Sequence, residues 1–283
     1  IRSKLLIAFA GLSILPLTLV GVYGILSNVR TMKEIVLENL SHDVQTIKGK
    51  TANFLESIES DLRVVRHSVA LETFISKRED FSQAAYVAEL QHISNELLAF
   101  AKTKNIYYQI RMVDESGDEL LRVESINAAD STKGYRIVPP QELRHTRESF
   151  YFLLIDGLAR DQIAFAPAEL VNQTDERLPV ISFALPLIGM KQRFGILIAN
   201  VFGKNLMQVM EGKRHFEIGG KVVLVAGDGH YLYHSEKKRD WNKLLASREE
   251  DNLQRDYPPN VAATILSGNE GTLTEGIGEI ISY

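Results

Sequence analysis

The chain has 283 residues, a net charge of −4 and no cysteine. Its length allows one large domain or two small ones, each with its own core. The absence of cysteine excludes a disulfide scaffold, thiol catalysis and a zinc–thiolate site, and the slightly acidic balance gives no reason to expect a nucleic acid as a partner.

An uncharged apolar segment stands near the start of the chain, from Leu5 to Leu26. As a helix it would span about 33 Å, against roughly 30 Å of membrane hydrocarbon. Arg2 and Lys4 precede it, which places the N-terminus in the cytoplasm. A cleaved signal is the alternative, but the run is long for a signal core and no convincing cleavage site follows. We predict a membrane anchor over residues 1–30, with the remainder outside the cytoplasm, which is the periplasm if the cell is Gram-negative.

Beyond the anchor, apolar residues recur about every 3.7 positions from Ile25 to Val69, and the opposite face is polar. This spacing predicts a helix that runs without interruption from the membrane to roughly Ala70. A second helical pattern covers Gln83 to Ala101. We assign residues 31–103 to a long helix and a helical hairpin. The apolar stripe must pack on the protein's own domain, on a second copy, or on both.

After Lys104 the apolar positions alternate with a period of two, which is typical of antiparallel strands. Five strands are predicted within residues 104–205, with a helix and a loop inserted after the second. They are "IYYQIRMV", "ELLRVE", "QIAFA", "PVISFALPLI" and "RFGILIANVF". On the first strand, alternation places Arg111 on one face and Tyr108, Ile110 and Met112 on the other.

The sequence pattern of the first hairpin is repeated later in the chain. The segments "VDESGDELLRV" and "VAGDGHYLYHS" align with Gly117 opposite Gly229. This repeat predicts a second, similar module over residues 206–283, which we expect to be truncated. A short helix near Asn260 to Leu266 and the start of a last hairpin follow. The predicted fold class is α+β: an N-terminal transmembrane helix continues into a long helix that carries two modules, each built on an antiparallel sheet.

Six segments in a fixed order resemble the double Cache sensor domains of bacterial transmembrane receptors, which occur on histidine kinases, diguanylate cyclases and chemoreceptors. The segments are "YYQIRMVDESGDELLRVE", "ESFYFLLIDG", "IAFAPAEL", "LPVISFALPLIG", "FGILIANVFG" and "VLVAGDGHYLYHS". The resemblance implies two PAS-like modules along one helix, a small-molecule ligand in the membrane-distal module at residues 104–205, a membrane-proximal second module and a homodimer.

The resemblance also implies a set of ligand-binding residues in the distal module. They are Arg111, Arg122, Phe150, Tyr151, Phe152, Ser182 and Ala184. The chain departs from the family pattern at Ser182, where arginine is favoured, and at Ala166, Glu169 and Val171. Arg147, Phe150 and Tyr151 only approximate the pattern of the amino-acid-binding subgroup, so we do not expect an amino-acid receptor.

Each candidate also has a simpler structural interpretation. Arg111 could clamp a carboxylate or phosphate, or pair with Glu119 or Asp114 in its own hairpin, and Arg122 offers the same alternatives. The aromatic residues 150–152 could be ordinary core. His230 and His234, beside Asp228, are conceivable metal ligands, but no third strong ligand is near and we expect no metal.

No nucleophile elbow, phosphate-binding loop, HExxH pair or paired-carboxylate site occurs in a convincing context. We therefore expect no enzyme activity and no cofactor in this part of the protein, although a kinase or cyclase output could follow it. The expected function is ligand sensing outside the cytoplasm, transmitted through the long helix. The alternative is an anchored scaffold that binds a periplasmic protein and no small molecule. A secreted hydrolase would require catalytic residues that the sequence does not show.

Overall fold

The computed structural model describes residues 2–127, 133–145, 157–173, 176–189, 193–211, 221–235, 252–273 and 281–283. The chain forms two compact units. One comprises Ile1–Lys48 and Tyr257–Tyr283, and the other comprises Gly49–Asp256. The larger unit contains the six-stranded sheet that positions the candidate site.

The first helix, α1 (Arg2–Arg66), passes through Pro16 and continues for 65 residues. Its N-terminal part is long and apolar enough to cross a membrane, by length and composition. Large apolar side chains between Phe9 and Leu26 are exposed, as they would be on a lipid-facing helix. The predicted end near Ala70 is a few residues too late, because Ser68 takes an extended conformation and its hydroxyl accepts a hydrogen bond from the Leu71 amide. That cap starts a new helix.

Two further helices follow α1. The first is α2 (Val69–Lys77), and the second is α3 (Gln83–Lys104), which extends the predicted second helix by three residues. The side chain of Ser82 caps the start of α3. At its end Asn105 adopts the left-handed conformation, and its amide donates to the Ala101 carbonyl. Asn is one of the few residues that tolerates this conformation.

The main sheet is antiparallel and has six strands, in the order β3-β2-β1-β6-β5-β4. Its strands are β1 (Tyr107–Asp114), β2 (Glu119–Ser125), β3 (Tyr135–Ile137), β4 (Ala164–Gln173), β5 (Glu176–Ile188) and β6 (Arg193–Phe202). The five predicted strands are present. The sixth, β3, was not predicted because three residues are too short to show alternation. Within the described part of the predicted helical insert, the chain forms the 3₁₀ turn Pro140–Glu142.

One face of the sheet packs on the helices. The Tyr107 hydroxyl donates to Asp61 on α1 at 3.0 Å, and the rings of Tyr107 and Phe100 lie 5.5 Å apart. Burial raises the pKa of the Tyr107 hydroxyl well above its usual range, and the nearby Asp61 raises it further. Met112 is fully buried on the same face, beside Leu97 of α3. The opposite face carries the polar groups of the candidate site.

The remainder of the larger unit contains α4 (Gly203–Glu211), a hairpin of β7 (Val223–Val225) and β8 (Tyr231–His234), and α5 (Leu253–Asp256). The two aligned hairpin glycines share a backbone conformation, since φ is +96° at Gly117 and +92° at Gly229. This conformation is open to glycine and costly for other residues.

In the smaller unit, α6 (Pro259–Leu266) matches the predicted short helix. The predicted last hairpin is present as β9 (Thr272–Leu273) paired with β10 (Ile281–Ser282). Glu270 contacts Lys48 of α1 and accepts a hydrogen bond from Gln45 at 2.6 Å. These two contacts lower the pKa of the Glu270 carboxyl, with Lys48 the larger cause.

The pairing of β1 with β6 requires glycine at position 195, because a Cβ atom there would lie 2.1 Å from the Val113 carbonyl oxygen. We expect Gly195→Ala to lower the free energy of unfolding by at least about 2 kcal/mol, because the two strands must separate. The matched control is Gly49→Ala, where a Cβ atom meets nothing within 4 Å in the interior of α1. That change should stabilise by about 0.5–1 kcal/mol. Thermal unfolding followed by circular dichroism checks both, and equal midpoints would contradict the close approach.

Candidate functional site

A row of three buried polar side chains crosses the centre of the sheet, on the face opposite the helices. Gln109, Asn200 and Ser182 are register partners on β1, β6 and β5. The Gln109 amide donates to Asn200 Oδ1 at 3.1 Å, and the Asn200 amide donates to Ser182 Oγ at 2.7 Å. Buried polar groups are costly unless they are hydrogen-bonded, so this row is fixed in one arrangement.

A buried charge cluster adjoins this row on β1 and β2. Arg111 and Arg122 lie directly opposite each other, which places two guanidinium groups on neighbouring strands. The Glu119 carboxylate lies between them, accepting from Arg111 at 3.2 Å and from Arg122 at 2.7 Å. The Glu119 side chain is fully buried and also accepts from the Arg144 backbone amide at 3.0 Å. One carboxylate therefore holds both arginines and the loop that follows Pro140–Glu142.

The charges continue toward the edge of the sheet with alternating sign. The Arg122 Nε atom lies 3.2 Å from Glu124, and an Arg122 Nη2 donates to the Glu142 backbone carbonyl at 3.1 Å. Arg136 on β3 donates to Glu124 at 2.6 Å and to Glu142 at 2.7 Å. The hydrogen bonds to Glu142 and Glu124 raise the pKa of the Arg136 guanidinium. The three arginines and three glutamates of this cluster balance in charge.

Tyr108 belongs to the same face, which corrects the simple alternation expected from the sequence. The register shifts between Tyr107 and Gln109, so Tyr108 packs on Val180 and Phe202, on the face that carries Ser182 and Asn200. Burial raises the pKa of the Tyr108 hydroxyl, and the neighbouring Glu124 carboxylate adds to the shift. The hydroxyl therefore stays protonated and can donate a hydrogen bond at neutral pH.

The structure brings four of the seven predicted site residues onto this one face: Arg111, Arg122, Ser182 and Ala184. Ala184 lies in an apolar patch beside the polar row, packed with Val113, Ala164, Ile196 and Ile198. Phe150, Tyr151 and Phe152 lie outside the described residues. Whether the seven residues bind a ligand stays a prediction.

Sequence reasoning did not select as ligand-binding five other polar residues of this face: Tyr108, Gln109, Glu119, Glu124 and Asn200. Two of them, Gln109 and Glu124, are register partners across β1 and β2. Polar residues repeating at every second position of β1 and β2, in otherwise apolar strands, were the available signal. A strand buried on both faces usually shows a continuous apolar run.

The two histidines of the second hairpin contact different residues in the structure. His230 pairs with Asp228 at 3.0 Å, whereas His234 is buried and its ring contacts Tyr231. The hydrogen bond from His230 lowers the pKa of the Asp228 carboxyl. Among the described residues, no group of three or more histidines and carboxylates could hold a metal ion.

The fold is of the mixed helix-and-sheet class, and its sheet buries a polar face. The family described as "Bacterial histidine kinase, sensor domain" matches residues 38–276. The match covers most of the chain, so the chain belongs to that family, in agreement with its Cache-type sequence segments. No curated protein sequence matches the chain.

Solved structures share the fold over nearly the whole chain. A domain of a sensory box/GGDEF family protein from Vibrio parahaemolyticus is 22% identical, with a TM-score of 0.70 and coverage of 88% of this chain and 89% of that one. The extracellular domain of a protein assigned as a histidine kinase is also 22% identical, with a TM-score of 0.69 and coverage of 90% and 89%. The ligand-binding domain of the Campylobacter jejuni chemoreceptor Tlp3, solved with L-valine, is 14% identical, with a TM-score of 0.57 and coverage of 87% and 86%.

Among the charged side chains of this face, we expect the loss of Glu119 to lower the free energy of unfolding most. Glu119→Gln removes the buried carboxylate that Arg111 and Arg122 share and leaves Glu124 as the buried carboxylate beside Arg122, and we expect it to cost about 3–5 kcal/mol of unfolding free energy. The matched control is Glu142→Gln, because that side chain is about half exposed and its loss should cost less than about 1 kcal/mol. Chemical denaturation measures both, and equal costs would contradict the bridging role of Glu119.

Proposed function

We propose that the chain is the extracytoplasmic ligand-sensing domain of a signal-transduction receptor, anchored in the bacterial inner membrane by the first part of α1. A small molecule binds the polar face of the six-stranded sheet, in a membrane-distal module formed by residues 104–205. Residues 206–283 form the membrane-proximal module. The output that the receptor controls is a histidine kinase or a diguanylate cyclase. The matching family is named for a histidine kinase, and one similar structure is named for a sensory box/GGDEF family protein.

The observation that carries this proposal is the composition of the sheet face opposite the helices. A face that served packing alone would be apolar, because each buried charge costs free energy even when it is paired. This face buries Arg111, Arg122, Glu119 and Glu124 beside an amide and hydroxyl row. Such fixed groups of both signs, next to the apolar patch at Ala184, are the lining expected of a small-molecule site.

The chemistry of the face favours a small polar ligand with both hydrogen-bond donors and acceptors. Guanidinium groups donate to carboxylates or phosphates, whereas Glu124 and the Gln109–Asn200–Ser182 row can bind donors. The apolar patch, which includes the small side chains of Ala164 and Ala184, offers a surface for a short uncharged portion of the ligand. Phe150, Tyr151 and Phe152 would complete the wall, as the family resemblance implies.

The sheet has a direct connection to α1. Tyr107, which immediately precedes Tyr108 and Gln109 on β1, donates to Asp61 on α1, and Lys104 binds the other oxygen of Asp61 at 2.7 Å. A ligand that repositions β1 therefore acts on α1 through a buried hydrogen bond. The ligand shifts the domain between two states by binding one of them more tightly. In a homodimer, the shift along α1 would reach the membrane as a displacement between the two helices.

A thermal-shift screen of the membrane-anchored chain in lipid nanodiscs tests ligand binding, with carboxylates, amino acids, polyamines, purines and sugars as probes. A compound at a hundredfold excess over its dissociation constant should add about 2.7 kcal/mol to stability, which is a shift of several degrees. Ser182→Ala and Tyr151→Ala should reduce the shift, whereas His230→Ala, in the second hairpin, should leave it unchanged.

Loss of the shift in His230→Ala alone would place the ligand in the second module and contradict the proposed site. No stabilising compound, together with binding of a periplasmic protein, would support the scaffold alternative.

Disulfide crosslinking along α1 tests the transmission step. Single cysteines at positions between Val44 and Val65 should crosslink two copies at rates that change when a stabilising ligand is added, because the helices move relative to each other. The chain has no native cysteine, so each introduced one reports alone. Identical crosslinking rates at every position, with and without ligand, would show that α1 does not carry the signal.

A further inference from the structure

The helix side of the sheet, opposite the polar face, contains a cavity. A cavity of about 150 Å³ opens between the last turn of α1, the start of α2, α3 and the sheet. Its wall includes Val65 of α1, Leu71 of α2, Leu97 of α3, Met112 of β1 and Leu197 of β6. All five of these side chains are buried.

The lining of the cavity is almost entirely apolar. Its two polar residues are Ser68, whose hydroxyl caps α2, and Glu96, whose partly exposed carboxylate lies 3.4 Å from His92 on the same helix. A water molecule needs two to four polar partners to stay in a cavity, and the buried side chains of this wall offer none. The cavity is therefore suited to an uncharged occupant that makes no hydrogen bonds.

The volume limits the size of that occupant. Drug-sized ligands and peptide segments need about 300 Å³ or more. An apolar cavity of about 150 Å³ lined by leucine, isoleucine and phenylalanine is known in another protein to stay dry and to bind benzene or xenon. This cavity has a similar volume and a wall that includes Leu71, Ile93, Leu97 and Phe100, and it opens to solvent beside the exposed side chain of Val64.

We propose that this cavity is a second ligand site, for a small uncharged hydrocarbon-like molecule of about the size of benzene. The site is separate from the polar face, so the two can be occupied independently. It lies at the break between α1 and α2, because Val64, Val65 and Ser68 all belong to its wall. An occupant contacts the last turn of α1 directly and restricts how that turn can move against β1 and β6.

Methionine NMR of the anchored chain in lipid nanodiscs tests the proposal, with benzene supplied through the vapour phase so that its activity is the same in water and lipid. Of the five methionines, Met112 lies in the cavity wall, whereas Met207 and Met210 lie on α4. The expected result is a saturable shift of the Met112 methyl signal, while the signals of Met207 and Met210 stay in place.

Variants distinguish occupancy of the cavity from partitioning into lipid. Leu97→Phe fills the space and should weaken benzene binding at least tenfold, whereas the matched change Leu206→Phe on α4 should leave it unaltered. If Leu97→Phe does not fold, Val65→Ile removes part of the volume and should weaken binding to a smaller extent.

Three results would overturn the proposal. They are a Met112 signal that benzene does not move, a linear shift of all methionine signals together, and a Met112 signal that responds to protein concentration and not to benzene. The last result would mean that a second copy of the chain covers the cavity.

Discussion

The bridge that Glu119 makes between Arg111 and Arg122 is the interaction on which the candidate site depends. The register of the β1–β2 hairpin sets two arginines opposite each other, and like charges in that position destabilise a sheet. A single buried carboxylate turns the repulsion into two charge-assisted hydrogen bonds. The same carboxylate accepts the Arg144 amide, so the loop beyond β3 is held to the hairpin. One side chain therefore sets the geometry of both arginines and of the loop beside them.

Strand β1 connects the two sides of the sheet because its alternation is interrupted once. Tyr107 points to the helices and binds Asp61, and after the irregularity Tyr108 and Gln109 both belong to the polar face. Further along β1, Arg111 belongs to the charge cluster, and Met112 lines the apolar cavity on the helix side. A displacement of this strand would therefore affect both faces of the sheet at once.

The two faces of the sheet differ in chemistry, so each favours a different class of proposed ligand. The polar face offers fixed charges and amides, and would reject a hydrocarbon because its groups would lose partners. The helix-side cavity offers dispersion contacts alone and would reject a charged molecule for the same reason. Because Arg111 and Met112, and likewise Leu197 and Ile198, are adjacent residues with side chains on opposite faces, the two sites are separated by the thickness of one sheet.

The sequence by itself determined the elements whose signals are local. The length of the uncharged run predicted the apolar segment, and a spacing of about 3.7 residues between apolar positions predicted α1. Alternation of apolar positions predicted five of the six strands of the main sheet. Order and composition of six segments identified the sensor family, and they pointed to Arg111, Arg122, Ser182 and Ala184. Tertiary structure decided the rest. The three-residue strand β3 forms because it pairs with β2. The Tyr108 side chain lies on the polar face because the register between β1 and β6 shifts by one residue at that point. Glu119 lies between two arginines only once β2 is in register with β1, and the cavity exists only where three helices meet the sheet. These features arise from contacts between residues distant in sequence, which no local periodicity encodes.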